Sequence, residues 1–487
     1  MPGGDGYGSY SRSTAGAKPQ WPLYLLVLLP IVVVYALTYS KVLSFERDQF
    51  FAYILGTLCL AITLVNLQAG LVMVVLSVAI SPEFDVSKVN NLRFEDLMIP
   101  SVFGIWCLKH IMGRQKLVPS GLKAPILLYL LLAALSTLMN VGFAGLNGSK
   151  AFFIYLKYIE YLLVLTMVAN LVRTERQVAA LILAVLVASL VSAFYGMYQR
   201  AAGLDWYGSR VTGPEGETAN IYGGYLIFHL LLGFGLFVTC PKPPVKTALF
   251  IYMLLMFYVV LRTLSRGSYV GLVAAMVLMG LLRDRRILIW VLLFLCVAPI
   301  VFPHDVANRL GTIVHVLPGT GSAAPTSWQS KVASWKQLRG EVFLHPLLGR
   351  GVGVFDCGWV DSEYMKVLVE SGLLGLAVWS WWILKMLWIG WRGHRRSRIW
   401  WQQGFSVGYV CAMVGLLVHA VAATSLTAIR TMESVMIGTG LMVALYNLQE
   451  GKGQFRRGWG RRRSPPDGPV EPLERLVRLK RNASFPA

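Results

Sequence analysis

The sequence predicts an all-α, polytopic integral membrane protein of about 12–14 transmembrane helices, with one large polar loop between the late helices. Three observations predict it. Hydrophobic residues make up 56% of the 487 and charged residues only 14%, with a mean hydropathy of +0.58, whereas a soluble domain is nearer a quarter charged. Apolar runs long enough to cross a bilayer recur along most of the chain. The net charge of +21 sits in short loops between those runs and in the C-terminal tail. That placement fits a membrane protein and argues against nucleic acid as a partner.

Taken in order, residues 1–20 are rich in Gly, Ser and Tyr and read as a disordered cytoplasmic leader. The run Trp21 to Tyr39 is too long for a signal-peptide core and lacks a small-residue cleavage site after it, so it reads as a retained span. Further spans are expected at 50–66, 69–82, 96–112, 122–140, 151–172, 177–198, 219–239, 246–263, 267–282, 287–303, 363–390, 402–424 and 431–448. The runs 50–66 and 69–82 are poorly separated, as in a short helical hairpin. With a cytoplasmic N-terminus, the loops holding Arg114 and Lys116, Arg173 and Arg176, Lys242 and Lys246, Arg283 to Arg286 and Arg392 to Arg398 all face the cytoplasm. So does the basic tail, 449–487. The chain therefore divides into the leader, an N-terminal helical block (21–303), an outer loop (304–362), a C-terminal helical block (363–448) and the tail. In a bacterial envelope the outer loop is periplasmic.

Within that loop, Trp328, Val332, Trp335 and Val342 follow the spacing of an amphipathic helix over Ser327 to Phe343, expected to lie on the membrane surface. The chain then turns on Gly349, Gly351 and Gly353 and delivers Asp361, Glu363 and Tyr364 to the mouth of the next span. GRGVGVF resembles a phosphate nest of backbone N–H groups, but it follows no strand and opens no Rossmann unit; a tight turn is the better reading. The six cysteines form no CxxC pair and no metal-ligand spacing, so neither a disulfide framework nor a metal site is expected.

Charges near a membrane interior are costly, which makes them candidates for function. Arg210 (SRVTGPEGETANIYGGY), Arg266 (TLSRGSYVGL) and Arg430 (TSLTAIRTMES) each stand at the outer opening of a span. Guanidinium forks match phosphate oxygens and never lose their charge, so three of them suit a polyanion; the plainer reading is that each snorkels to lipid headgroups or pairs with a nearby carboxylate. Arg93, Glu95 and Asp96 open another span. Lys157 and Glu160, one turn apart, read as a structural pair. His345, in FLHPLLG, is either a base or a turn residue.

These segments together resemble the O-antigen ligase and Wzy-type polysaccharide polymerase superfamily of bacterial envelopes. The most specific match is DSEYMKVLVESGLLGLAVW, similar to that family's signature of a polar pair, an aromatic and acidic-x-Gly-x-x-Gly entering a span. HPLLGRGVGVF, RVTGPEGETANIYGGYL, TLSRGSYVGL, NLRFEDLMIP, LKYIEYLLVL and SAFYGMYQR match in family order, over roughly residues 90–445. The resemblance implies inverting, metal- and cofactor-independent glycosyl transfer at the periplasmic face of the inner membrane. The donor would be an undecaprenyl-pyrophosphate-linked glycan and the acceptor a glycan or lipid; membrane lipids, with a flippase or chain-length regulator, are the other partners to look for. Arg210, Arg266 and Arg430 would hold the pyrophosphate. Family ligases usually carry a histidine-containing pair where this chain reads Asp361-Ser362-Glu363, so Glu363 or Asp361 is expected as the base, with His345 in reserve. A protein O-oligosaccharyltransferase would differ in acceptor alone. A transporter of lipid-linked sugars is the rival from another class, but the sequence has no internal repeat and its charges gather at one face rather than midway.

Overall fold

The computed structural model describes residues 58–80, 83–85, 91–112, 118, 120–143, 146–204, 210–214, 218–301, 306, 327–354 and 360–461. The expected leader, the span at 21–39, the first half of that at 50–66, nearly all of 304–326 and the tail beyond 461 lie outside the described residues. The elements are α1 (Leu67–Ile80), β1 (Glu83–Asp85), β2 (Asn91–Arg93), α2 (Phe94–Met112), α3 (Lys123–Phe143), α4 (Gly148–Leu171), α5 (Glu175–Ala201), α6 (Ala219–Thr239), α7 (Pro243–Arg262), α8 (Arg266–Leu282), α9 (Arg286–Val301), α10 (Ser327–Leu344), α11 (Glu363–Arg396), α12 (Trp400–His419) and α13 (Ile429–Arg461). Among the described residues the fold is helical apart from one short antiparallel pair, in which Phe84 of β1 faces Leu92 of β2.

Among the described residues, seven helices are long and apolar enough to cross a membrane: α3, α4, α5, α6, α7, α11 and α12. Helices α1, α2, α8, α9 and α13 fill other expected span positions but are shorter or more polar. Their starts follow local chemistry. Thr174 caps α5 in a reciprocal box with Gln177, Thr218 caps α6 through Ile221 N, and Ser265 caps α8 through Ser268 N. Each supplies an acceptor to an N–H that has no partner inside its own helix.

Helices α6 and α12 form the centre, being 78% and 72% buried where the other long helices are half buried or less. Their backbones meet at glycines: a Cβ on Gly235 would stand 2.3 Å from Gly404 O and 2.6 Å from Gly408 Cα. In lipid, where apolar side chains gain little by leaving one apolar solvent for another, such close approach is what holds helices together. At the other edge, the helix breaks at Asn66, whose side chain accepts from Gln68 N and Ala69 N. A Cβ on Gly70 would lie 2.5 Å from Thr63 Oγ1, so residues 58–65 bend sharply against the start of α1.

One expected element differs. The span expected at 363–390 is two half-helices joined at Gly372, whose backbone (φ 67°, ψ −168°) is not helical. The loop after α10 fills the break. Pro346 O and Leu347 O accept from Leu373 N and Leu374 N at the start of the second half, while Arg350 N and Gly351 N donate to Val369 O and Glu370 O at the end of the first. Breaking a helix in an apolar setting exposes backbone groups that must find partners, and this loop provides them on both sides. Helix α10 forms where its periodicity places it, and it packs against the bundle. Leu338, outside the expected apolar stripe, is buried against Val360 and Val369, with Val342 and Met365 packed around them. The helix is thereby fixed to the first half of α11.

Candidate active site

The glycine loop meets the protein's own acceptors. Gly349, Gly351 and Gly353 all have positive φ, which side chains rarely tolerate. Val352 N donates to Thr137 Oγ1 and Gly353 N to Glu370 Oε1, and Glu370 also accepts from Tyr158 OH. These N–H groups are committed, so the segment is a turn, as the sequence suggests, and not a nest. Glu370 and Gly372 are the acidic-x-Gly of the signature; their work here is to build the helix break.

The mouth lies at the other end of the first half-helix. Arg210 donates from Nε to Thr263 O at 3.0 Å and from Nη2 to Asn220 Oδ1 at 2.9 Å, and Val211 N donates to Arg262 O. The Arg210 loop is thus sewn across the openings of α6 and α8. Gln199, in SAFYGMYQR, holds the same loop by accepting from Thr212 N and Gly213 N. Gly213 (φ 83°) is needed there because a Cβ would press 2.7 Å from the Tyr222 ring. Arg266 is the first residue of α8, three beyond Thr263, and its neighbour Gly267 packs against His419 and Ala422.

Lys331, on α10, reaches into this same place. Its Nζ donates to Ala422 O at 2.5 Å and lies 3.4 Å from Asp361 Oδ2, with side-chain exposures of 12% and 50%. Burial holds the Lys331 ammonium below the usual lysine range; Asp361 opposes that shift, and the positive charges of Arg266 and Arg210 add to it. Arg210, Arg266, Lys331 and Asp361 therefore share one field. Beneath them, His419 Nδ1 is 2.7 Å from Ser425 Oγ, both residues being fully buried.

The three expected bases are placed very differently. Asp361 is half exposed at the mouth. Glu363 is fully buried; its Oε2 accepts from Leu426 N and Thr427 N, and its own N–H donates to Ala420 O. The carboxylate thus ties the start of α11 to the segment linking α12 and α13. His345 precedes Pro346 at the Gly372 break, about 14 Å along the helix from Glu363. Arg430, one turn from Glu433, is 1% exposed in the first turn of α13. The charges of Arg210, Arg266 and Asp361 all act on Lys331, and His345 is not among the groups that do.

A second polar cluster stands behind the mouth. Lys157 pairs with Asp96 of α2 and, at 2.8 Å, with Glu160 of its own helix; Arg93 faces Glu95 at 3.9 Å. The i, i+3 pair is therefore part of a three-residue bridge between α2 and α4. Lys331, His419 and Gln199 are absent from the sequence reading. Lys331 hides among other polar residues of α10, whereas His419 and Ser425, in an otherwise apolar GLLVHAVAATSLT, were visible as oddities.

The architecture and mouth define a class: a polytopic helical membrane protein whose cations and carboxylate converge at one end of the bundle. Residues 251–380 match the family model described as O-Antigen ligase, so over this stretch the chain is similar to O-antigen ligases in sequence. The matched stretch contains Arg266, Lys331, Asp361, Glu363 and the Gly372 break, and lies between Arg210 and Arg430. No curated protein matches the chain.

Proposed function

We propose that the mouth transfers a glycan from a polyprenyl-pyrophosphate donor to a hydroxyl acceptor, on the side of the inner membrane facing away from the cytoplasm. The observation that carries the reading is the convergence of Arg210, Arg266 and Lys331 beside a half-exposed Asp361, in a segment matching an O-antigen ligase model. The loop-charge alternation supports the orientation.

In this reading the acceptor oxygen attacks the anomeric carbon from the face opposite the pyrophosphate. A carbon–oxygen bond forms, the bond to the pyrophosphate oxygen breaks, and its electron pair leaves with the polyprenyl pyrophosphate. The acceptor's proton passes to Asp361 and from there to water. Arg210 and Arg266 stabilise the charge as it develops on the leaving group. Arg210 is held by Thr263 O and Asn220 Oδ1 before substrate arrives, so little of its reorganisation is left for the reaction itself. Arg430, sequestered at the start of α13, contributes fixed positive charge from below. Glu363 positions the 424–427 segment, and His345 belongs to the helix break.

The test uses the purified chain in vesicles with a synthetic polyprenyl-pyrophosphate glycan and an acceptor glycan. Asp361→Asn should abolish transfer without weakening donor binding, and leave the melting temperature near wild type. Glu363→Gln should retain transfer with a lower melting temperature. The reverse pattern would move the base to Glu363, and full transfer by both variants would remove the carboxylate mechanism.

A further inference from the structure

The mouth holds a cation that comes from a different element than the arginines. Arg210 and Arg266 are carried by the helix bundle, whereas Lys331 is carried by α10, which packs on α11 through Leu338 and Val342. An ammonium has three donors. One goes to Ala422 O at 2.5 Å and one points toward Asp361 Oδ2 at 3.4 Å; the third has no partner among the described residues. At 3.4 Å the contact with Asp361 is an ion pair, longer than a charge-assisted hydrogen bond of about 2.7–2.9 Å. The side chain is nearly buried, and two guanidinium groups act on it as well. Asp361, itself half in water and 3.4 Å away, is thus a weak counterion for this ammonium.

An arriving pyrophosphate diester would change the balance. It offers more than one negative charge where Asp361 offers one, and at equal distance Coulomb attraction scales with that charge. Resting on the reading of the mouth as a glycan-transfer site, we propose that Lys331 exchanges Asp361 for the donor's pyrophosphate, so that donor binding itself releases the carboxylate that deprotonates the acceptor. The exchange makes donor and base mutually exclusive partners of one ammonium. Asp361 stays neutralised while the site is empty and becomes available once a donor is seated, so productive binding is ordered, donor first. Lys331 is then both a donor ligand and the residue that couples the two halves of the reaction.

Competition has a signature that a structural tether lacks. With polyprenyl pyrophosphate as the probe and the full-length chain in vesicles, Lys331→Met should weaken binding by on the order of tenfold or more. Asp361→Asn should tighten it several-fold, because the competing anion is gone. The double variant Lys331→Met/Asp361→Asn should bind as weakly as Lys331→Met alone, since the aspartate competes only through the lysine. If Lys331 and Asp361 merely hold α10 in place, Asp361→Asn would leave affinity unchanged or lower it. That result, or wild-type affinity in Lys331→Met, overturns the exchange. Arg266→Ala separates the two levels of the argument. Undiminished probe binding in Arg266→Ala, or none in wild type, sinks the glycan-transfer reading; loss in Arg266→Ala without a gain in Asp361→Asn sinks only the exchange. Asp361→Asn replaces a half-exposed side chain with its isostere, so its sign can be read even if Lys331→Met fails to fold.

Discussion

Replacing Gly372 with alanine would attack the joint on which the mouth depends. At φ 67° and ψ −168° the backbone lies in a region essentially reserved for glycine, where a side chain adds about 1–3 kcal/mol of strain. A Cβ there would also stand 2.3 Å from Leu347 C and O and 2.6 Å from Leu348 N. These are backbone atoms and cannot rotate aside, so the loop must lift. Lifting it endangers the four backbone hydrogen bonds that fill the break, each contributing about 1 kcal/mol. The combined cost is about 5 kcal/mol, a large fraction of the roughly 5–15 kcal/mol that stabilises a typical fold. Thermal unfolding in detergent, followed by tryptophan fluorescence, should fall by roughly 5–10 °C. Gly340→Ala is the control. Nothing lies within 4 Å of a Cβ there, and alanine favours a helix over glycine by about 1 kcal/mol, so its melting should be unchanged or slightly raised. A Gly372→Ala protein melting like wild type would refute the argument that this glycine is required by the loop's crossing.

Other outcomes follow from the same contacts. Glu370→Gln turns an acceptor toward the donors Gly353 N and Tyr158 OH into a group that is half donor, and should lose about 1–3 kcal/mol in the same melt; a neutral result would mean the loop is not held by this carboxylate. Because burial lowers the Lys331 pKa, a larger share of it is neutral at mildly alkaline pH than of an ordinary lysine. It should therefore acylate at lower pH than an ordinary exposed lysine, with polyprenyl pyrophosphate protecting it; peptide mass analysis reads both effects, and labelling indifferent to the ligand would place Lys331 outside the site. The same shift has a stability sign: the unfolded chain keeps this proton to higher pH, so the burial penalty of the charged form is present below the folded pKa and relieved as pH rises through it. In a cysteine-free background, Gln337→Cys on exposed α10 should react with an impermeant thiol reagent in intact cells stripped of their outer membrane. Labelling only after lysis would reverse the proposed orientation.

Much of this architecture was legible because lipid makes sequence literal. A helix that must satisfy its own backbone and face hydrocarbon writes itself as an apolar run, which is why α3 to α7 and α12 sit close to their expected bounds. The α11 break was not legible as a break. Ser371, Gly372 and Leu373 continue an apolar pattern, and what ends the helix there is a loop some twenty-five residues upstream in sequence, invisible to any local window. The arginines were found because a buried charge in an apolar run is conspicuous. Lys331 was not, since on a polar surface helix one lysine looks like the next, and only the packing of Leu338 determines which of them turns inward. Glu363 drew attention by its place in the motif, yet the structure gives its carboxylate to Leu426 and Thr427 and leaves Asp361, two residues earlier, at the mouth.

The central claim is that paired guanidinium groups at this mouth stabilise a departing pyrophosphate. It is tested most directly by measuring release of polyprenyl pyrophosphate during glycan transfer by Arg266→Lys and Arg210→Lys in vesicles. Lysine keeps the charge but loses the planar fork, and Arg210 uses that fork to hold Thr263 and Asn220 together. The account predicts turnover in both lysine variants nearly as low as in the alanine variants, with the loss in kcat because the contact strengthens as the leaving group departs. Wild-type turnover in both lysine variants would show that the arginines merely reach for lipid headgroups, and would contradict the account.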